Sequence, residues 1–458
     1  MCGVCLVAQT SVCAVLVWVL RGRKSTQTEV CATGCGFYFY AERLPEFFRR
    51  RASSEAWSAL AYMNASASSS TVSPATADAI FMGRALELAA GGVALTSPNP
   101  MVGAVLVRKG KIVGEGFHVY DGVRHAEIIA LEEAGDAARG ATLYINLEPC
   151  CHKGRTGPCT NALILADVKC VVVAMKDPNP AVGGRGFKHL RAAGIEVSTG
   201  LREAEARRLA ESFAKWIVTR QPLVTLKSAL TLDGQLVLPY ARGRARPPLR
   251  ARPALAARHL EDRWISSPES RAEVQRMRHA SDALLTGIGT VLGDDPLLTD
   301  RTGLPRRRKL LRVVMDSTLR LPLRSQLVRS ADGDVLVFTR EREDSLKARA
   351  LHRAGVEIVH VAGRDAKPDL RAVISELGRR EMLSVLLEAG ATLNSAALAA
   401  GFVDKIRVFL APKIAGFKGV AAAPNGFQAA CDLQNVTMAQ FGVDFAVEGY
   451  LHDVYRTG

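Results

Sequence analysis

The chain lacks the marks of several large protein classes. Its ten cysteines show no regular framework of spacings, which argues against a disulfide-stapled scaffold and fits a reducing compartment. Aromatic residues are only 6% of the total. None is interleaved in the two basic runs, seven arginines between Arg242 and Arg263 and the cluster Arg306-Arg307-Arg308-Lys309, so neither run offers a stacking platform for single-stranded nucleic acid. Both runs read instead as solvated loops. The Gly-x-Gly-x-x-Gly fingerprint is missing, which leaves Rossmann-type dinucleotide binding unsupported.

What is present bounds the answer further. At 458 residues the chain exceeds one ordinary core, and two or three domains are expected. A net charge of +15 points to nucleic acid, an anionic substrate or a targeting segment. Residues 1–76 read as a leader. Val4 to Leu20 is mostly apolar but broken by Gln9-Thr10-Ser11, a length that suits a signal region or anchor. Arg49-Arg50-Arg51 and an acid-poor Ala/Ser tract from Ala65 to Thr71 then have the composition of an organellar transit peptide. A removed plastid-targeting segment, in two parts, is the favoured reading. A misplaced start of translation, which would make the protein cytoplasmic, and a permanent membrane anchor are the rivals.

The chemistry concentrates in one stretch. His125-Ala126-Glu127 is followed by Leu147-Glu148-Pro149-Cys150 and then Cys159. One imidazole and two thiolates would give a tetrahedral zinc three ligands and one open position, the pattern of a hydrolytic rather than a structural site. Glu127 lies too near His125 along the chain to ligate beside it, but can serve as proton shuttle, as in zinc deaminases. Ordinary burial of two cysteines and a histidine is the alternative. Context weakens it. Ala141–Asn146 reads as a buried strand, and Pro158-Cys159-Thr160 opens a helical run to Ala166, placing Cys159 at the positive helix end.

Around this stretch, Thr76 to Ala89 has helical period through Ile80, Leu86 and Ala89. Met101–Val107 and Ile112-Val113 form a hairpin, His125–Ala134 a helix, Val171–Met175 and Gly194–Val197 strands. The alternation predicts an α/β sandwich over residues 77–200. Lys176 to Gly186 is a polar, Gly-rich loop able to approach a ligand or simply to turn. Leu201–Ile217 is an amphipathic helix linking to a second α/β domain over 222–458, with an inserted basic loop at 240–262. Strands are expected at 223–230, 283–285, 313–316, 335–339, 356–361, 385–388 and 406–411, and helices at 267–280, 341–354, 369–377 and 394–400, giving a mainly parallel sheet.

Such a sheet binds ligands beyond the carboxyl ends of its strands. Lys227, Asp316-Ser317 and Glu388-Ala389-Gly390 fall at suitable places. The run from Gly390 into a helix suits a phosphate, Gly287-Ile-Gly289-Thr290 is a further backbone approach, and Arg278 and Arg301 could pair with a substrate phosphate. Taken singly, each arginine reads as readily as a surface residue.

These segments in this order resemble the bifunctional riboflavin-biosynthesis deaminase-reductase family across about Ala77 to Asp453. The resemblance is carried by Asn99–Val105, His125-Ala-Glu127, Leu147–His152 through Cys159, Asp177–Pro180, Leu230–Gly234, Trp264-Ile-Ser266, Asp294–Pro296 with Leu298 and Arg301, Glu388–Gly390 and Leu410–Lys413. It implies a cytidine-deaminase-like α/β/α sandwich followed by a dihydrofolate-reductase-like α/β domain. It further implies zinc held by His125, Cys150 and Cys159, with Glu127 as catalytic proton shuttle. In the second half it implies NADPH contacts at Ala229, Trp264, Thr290, Asp294, Ser317 and Gly390, and substrate contacts at Lys227, Arg278, Leu298, Arg301 and Glu388. The implied substrate is a phosphorylated aminopyrimidine.

Two departures stand out. Gln235 replaces the family's usual lysine, and Asp262 its serine two residues before Trp264. Plant-type members similar to this chain keep deamination while their reductase half is inactive, so a monofunctional deaminase is the first alternative. A nucleic-acid-binding editing deaminase is the alternative from another class, although no nucleic-acid partner is expected. No stable membrane association is expected once the leader is gone, and a homo-oligomer is compatible with the sequence.

Overall fold

The structure is a computed structural model that describes residues 74–237, 264–363, 367–416, 420–421 and 432–455. The expected leader up to residue 73, the 240–262 insertion with Asp262, and Cys431 lie outside the described residues.

The chain opens with α1 (Pro74–Ala90), then β1 (Gly103–Arg108) and β2 (Lys111–Phe117) as an antiparallel hairpin. After α2 (Ala126–Ala134), β3 (Thr142–Leu147) lies antiparallel to β1. Helix α3 (Cys159–Leu165), β4 (Cys170–Met175), α4 (Arg185–Ala192) and β5 (Glu196–Thr199) continue in parallel crossovers, giving the order β2-β1-β3-β4-β5. Strict alternation explains the layers. Ala104, Leu106, Leu143, Ile145, Val171 and Val173 meet Ala126, Ala130, Leu163 and Leu190 of α2, α3 and α4 on one face. Val105, Val107, Tyr144 and Val172 meet Met82 and Ala85 of α1 and Ala206 and Ala210 of the following helix on the other. This is the expected α/β/α sandwich. Within α1, Ile80 departs from its assignment to the apolar stripe. It is 60% exposed, and Met82 and Ala85 form the buried face instead.

Glycine lets the zinc-ligand helix lie directly on the hairpin. A Cβ at Gly116 would sit 2.4 Å from the Ala126 carbonyl oxygen, and one at Gly114 2.1 Å from that of Ala130. Larger residues at either position would push α2, and with it His125 and Glu127, off β2.

Helix α5 (Glu203–Thr219) spans both halves as its amphipathic pattern predicts. Its first half packs under the five-stranded sheet, whereas Phe213 and Trp216 pack on Leu383, and Trp216 Nε1 donates to the Gly378 carbonyl at 2.9 Å.

The second sheet is built from β6 (Leu223–Thr231), with β7 (Gln235–Val237) just beyond it. There follow α6 (Pro268–Ala280), β8 (Ala283–Gly287), α7 (Ile288–Asp294), β9 (Leu311–Met315), α8 (Gln326–Arg329), β10 (Val335–Thr339), α9 (Leu346–Arg353), β11 (Val356–His360), α10 (Leu370–Arg379), β12 (Ser384–Leu387), α11 (Ala391–Ala399), β13 (Lys405–Ala411), β14 (Val420–Ala421), β15 (Gln434–Phe441) and β16 (Asp444–Tyr450). The order is β11-β10-β9-β8-β12-β6-β13-β16-β15, while β7 and β14 pair apart. All pairings are parallel except β13–β16 and β15–β16. A mainly parallel sheet is therefore correct, but its antiparallel C-terminal hairpin was not foreseen. Strand β15 is polar and exposed along most of its length, so it carries little of the apolar signal that marks a strand. Helix α9 begins at Leu346 rather than Glu341, because Ser345 caps it by accepting from Ala348 N.

Candidate zinc centre and ligand cleft

The three sequence-predicted ligands converge. His125 is the N-cap of α2 in extended conformation, Cys150 follows β3, and Cys159 is the first residue of α3. Their ligand atoms all lie within 4.8 Å of one another. His125 Nδ1 stands 3.2 Å from Cys159 Sγ and 3.6 Å from Cys150 Sγ, separations that match the edges of a tetrahedron around a metal at zinc–sulfur and zinc–nitrogen distances. The donor set, one imidazole and two thiols, fits zinc.

The electrostatics agree. Hydrogen bonds from Cys159 and His125 hold the Cys150 thiol well below its usual range, while its own hydrogen bond to Cys150 pushes Cys159 up. A cation held here would favour the thiolate form of both. The Cys159 backbone N–H also donates to Cys150 Sγ at 3.4 Å. Glu127 is buried on the first turn of α2, and burial first, then the Cys150 charge, lifts its carboxyl to about 7. It lies against Cys159 without belonging to the ligand set.

Several neighbours were given no role of their own in the sequence reading. Buried Asn146 of β3 accepts from Gly103 N at 2.9 Å and donates to the Met101 carbonyl at 2.9 Å, tying the turn before β1 to the strand that leads to Cys150. A polar residue inside an otherwise apolar strand was the available signal. Glu148 is buried, and its carboxylate accepts from Asp177 N (3.2 Å), Gly184 N (2.8 Å) and Gly186 N (2.9 Å). The Gly-rich loop therefore cradles a carboxylate of its own chain. A Cβ at Gly186 would come within 2.3 Å of the Pro149 carbonyl oxygen. Burial lifts Asp177 on the same loop to about 6. His118 is buried, edge-on to His125 with centroids 5.4 Å apart, and burial depresses its basicity.

In the second sheet the expected residues separate into groups. Lys227, Arg278 and Glu388 come together from β6, α6 and the end of β12. Arg278 donates a fork to Glu388 at 2.7 and 3.0 Å, and Lys227 Nζ stands 3.9 Å away from the same carboxylate. Burial lowers the Lys227 pKa. Burial also pushes Glu388 up, but the Arg278 charge and hydrogen bonds, with Lys227, bring it below the usual carboxylate range. Leu298 is buried in the apolar cluster with Leu284 and Ile288 and holds a positive φ of 57°. Arg301 is exposed, and its backbone N–H donates to Gln275 Oε1 at 2.9 Å.

Gly390 is the N-cap of the nine-residue α11, and Thr290 and Asp294 lie in α7, which starts from Gly287. Ser317 follows Asp316 beyond β9 and accepts from Arg340 N. Trp264 is half exposed beneath the Arg271 guanidinium, and its carbonyl accepts from Lys413 Nζ at 2.6 Å. Ala229 is half buried on β6. A Cβ at Gly289 or Gly390 would meet nothing within 4 Å, so open space adjoins both backbones. Thr286 Oγ1, Asp316 Oδ1 and Asn394 Oδ1 are buried without a hydrogen-bond partner near the same strand ends. Open glycine backbones and unpaired polar atoms suit a polar dinucleotide. Gln235, in place of lysine, donates from Nε2 back to the Asp233 carbonyl at 3.2 Å.

The basic cluster at 306–309 differs from expectation. The side chains of Arg306, Arg307 and Arg308 are only 16, 21 and 27% exposed, while Lys309 is 58% exposed. Carboxylates and carbonyls absorb the three arginines, since a guanidinium out of water needs acceptors for its donors. Arg306 pairs with Asp300 and donates to the Arg278, Ser281 and Arg308 carbonyls, and Arg308 donates to Ser97 Oγ at 2.7 Å.

Comparison with known proteins finds two family matches along the chain. The family described as the cytidine and deoxycytidylate deaminase zinc-binding region matches residues 75–175, and the RibD C-terminal domain matches residues 254–447. The riboflavin biosynthesis protein RibD of Aquifex aeolicus is 40% identical over 339 residues, covering 74% of this chain and 88% of that protein. RibD of Escherichia coli is 41% identical over 350 residues, covering 74% and 89%. Among solved structures, Acinetobacter baumannii RibD superposes with a TM-score of 0.69 at 34% identity, covering 83% of this chain and all of the other. The Thermotoga maritima diaminohydroxyphosphoribosylaminopyrimidine deaminase/5-amino-6-(5-phosphoribosylamino)uracil reductase also superposes at 0.69, with 33% identity and coverage of 82% and 99%.

Proposed function

Because the chain belongs to the RibD family of riboflavin-biosynthesis proteins, we propose that it deaminates 2,5-diamino-6-(5-phosphoribosylamino)pyrimidin-4(3H)-one to 5-amino-6-(5-phosphoribosylamino)uracil and then reduces the ribosyl group to ribityl with NADPH. The observation that carries the reading is the converged His125, Cys150 and Cys159 cluster with buried Glu127 against it. The catalytic halves are residues 77–200 and 222–458, joined by a linker at 201–221 that contains the whole of α5.

His125, Cys150 and Cys159 would hold the zinc. When bound, it supplies a Lewis acid that acidifies water at the site. Glu127 accepts a proton from the attacking water and delivers it to the amino nitrogen, so the C–N bond breaks, ammonia leaves and a ring carbonyl remains. Glu127 lies against Cys159, where a cation would favour its ionised, proton-accepting form. Glu148, locked by backbone N–H groups, keeps Pro149-Cys150 in place beside the 177–187 loop.

In the second half, Ala229, Trp264, Thr290, Asp294, Ser317 and Gly390 line the place for NADPH, which supplies the reducing equivalents. Lys227, Arg278, Leu298, Arg301 and Glu388 serve the phosphorylated substrate. The exposed Arg301 is free to take the phosphate, whereas Arg278 is committed to Glu388 and works through that pair.

No helix among the described residues is long and apolar enough to cross a membrane. Plastid import of a leader-bearing precursor is our reading of residues 1–76, and imaging of a leader fusion tests it. Activity is tested by following ammonia and NADPH together in one cuvette with the diaminopyrimidine. Ammonia release followed by NADPH oxidation is expected. Ammonia with untouched NADPH would make the chain a monofunctional deaminase, and neither would overturn the reading.

A further inference from the structure

The C-terminal half sends one residue into the loops that frame the zinc ligands. Arg307 N donates to the Ala94 carbonyl at 2.9 Å, and its guanidinium donates to the Ser97 carbonyl at 2.8 Å and to Asp121 Oδ1 at 3.1 Å. The same guanidinium stands 3.7 Å from the centroid of the Tyr120 ring. Arg155, on the loop between Cys150 and Cys159, stands 4.4 Å from that ring and donates to the Tyr120 carbonyl at 3.0 Å. Tyr120 thus joins the zinc loop to the C-terminal half.

Both loops that Arg307 grips lead to the metal site. Residues 94–99 end at Asn99, whose Nδ2 lies 3.0 Å from His118 Nε2. Residues 118–124 run directly into His125. His118 Nδ1 is 2.9 Å from the Arg124 carbonyl, and its ring stands edge-on to that of His125. Asp121 is exposed, so its ion pair contributes little. The stack on Tyr120 and the bond to the Ser97 carbonyl are what the Arg307 side chain adds, whereas the backbone bond to Ala94 would survive its replacement by alanine or lysine. Lysine could reproduce the charge but not the planar fork that stacks and donates at once.

We propose that Arg307, although it belongs to the RibD C-terminal domain, is a positioning residue of the zinc site. It clamps the 94–99 loop to the 118–124 loop and so fixes His118 and His125 beside the loop that bears Arg155. The activity arm of this inference rests on the deaminase reading, while the metal arm rests on the ligand cluster alone.

The test uses the zinc-loaded full chain and compares wild type, Arg307→Ala, Arg307→Lys and Lys309→Ala. The readouts are the rate at which excess chelator strips zinc, the ammonia-release kinetics and the melting temperature. Arg307→Ala is expected to lose zinc faster and to fall in kcat/KM, each by about tenfold, with a wild-type melting temperature. Arg307→Lys should be intermediate, and Lys309→Ala, at an exposed neighbour, unchanged. Wild-type stripping in both Arg307 variants would overturn the proposal, as would losses that only track a lower melting temperature. Should the alanine variant not retain zinc through purification, the lysine variant decides by the same criteria. If wild type releases no ammonia, the deaminase reading fails, yet the stripping rates still decide the role of Arg307.

Discussion

The candidate zinc centre and the group of polar residues on the second sheet are assembled in opposite ways. The first draws its three ligands and Glu127 from 35 consecutive residues, placed by the start of α2, the end of β3 and the start of α3. The second draws Lys227, Arg278 and Glu388 from elements spread over more than 160 residues, and the remaining expected contacts lie on several other loops and helices. A compact motif carries its geometry within local structure. A dispersed site depends on the register of a whole sheet, so its chemistry is built on buried ion pairs that must be satisfied whether or not ligand is present.

That contrast can be broken or sharpened by substitution. Glu388→Gln leaves Arg278 and Lys227 short of their buried counter-charge and should cost about 3–5 kcal/mol of stability. Denaturant unfolding checks this, and a loss below about 1 kcal/mol would mean the cluster is better hydrated than its burial implies. Glu148→Gln places an amide that can donate where the carboxylate accepts from backbone N–H groups, at a cost of about 2 kcal/mol. Its expected signature is a lower melting temperature together with a raised KM for deamination, because the 177–187 loop loosens beside Cys150. Arg301→Ala should change stability by less than about 0.5 kcal/mol, as for an exposed side chain. It should raise KM for the reduction step alone, and an effect on ammonia release would blur the separation of the two sites.

The same contrast sets what could be read without coordinates. The convergence of His125, Cys150 and Cys159 with Glu127 beside them was legible because ligand chemistry and short spacing leave few alternatives, and apolar runs located all strands of the first sheet and all but β15 and β16 of the second. Glu148 was quoted within the motif but its task was hidden, since its partners are backbone N–H groups up to 39 residues on. Strand β15 was missed because an exposed strand at a sheet edge need not be apolar. Arg306, Arg307 and Arg308 read as a solvated basic loop, and only tertiary structure reveals the carbonyls and carboxylates that take them in. The reductase-side residues were placed largely through family resemblance. Pattern alone offered Lys227, Arg278, Arg301 and Glu388 as isolated polar groups and could not show that three of them meet.

The most direct test is Glu127→Gln, assayed for ammonia release from the diaminopyrimidine with bound zinc measured on the same sample. The account predicts one zinc per chain, as in wild type, and deamination reduced by at least about a hundredfold, the contribution of a positioned proton carrier. Full zinc content with wild-type ammonia release would contradict it, because the buried carboxylate against Cys159 would then have no part in the chemistry.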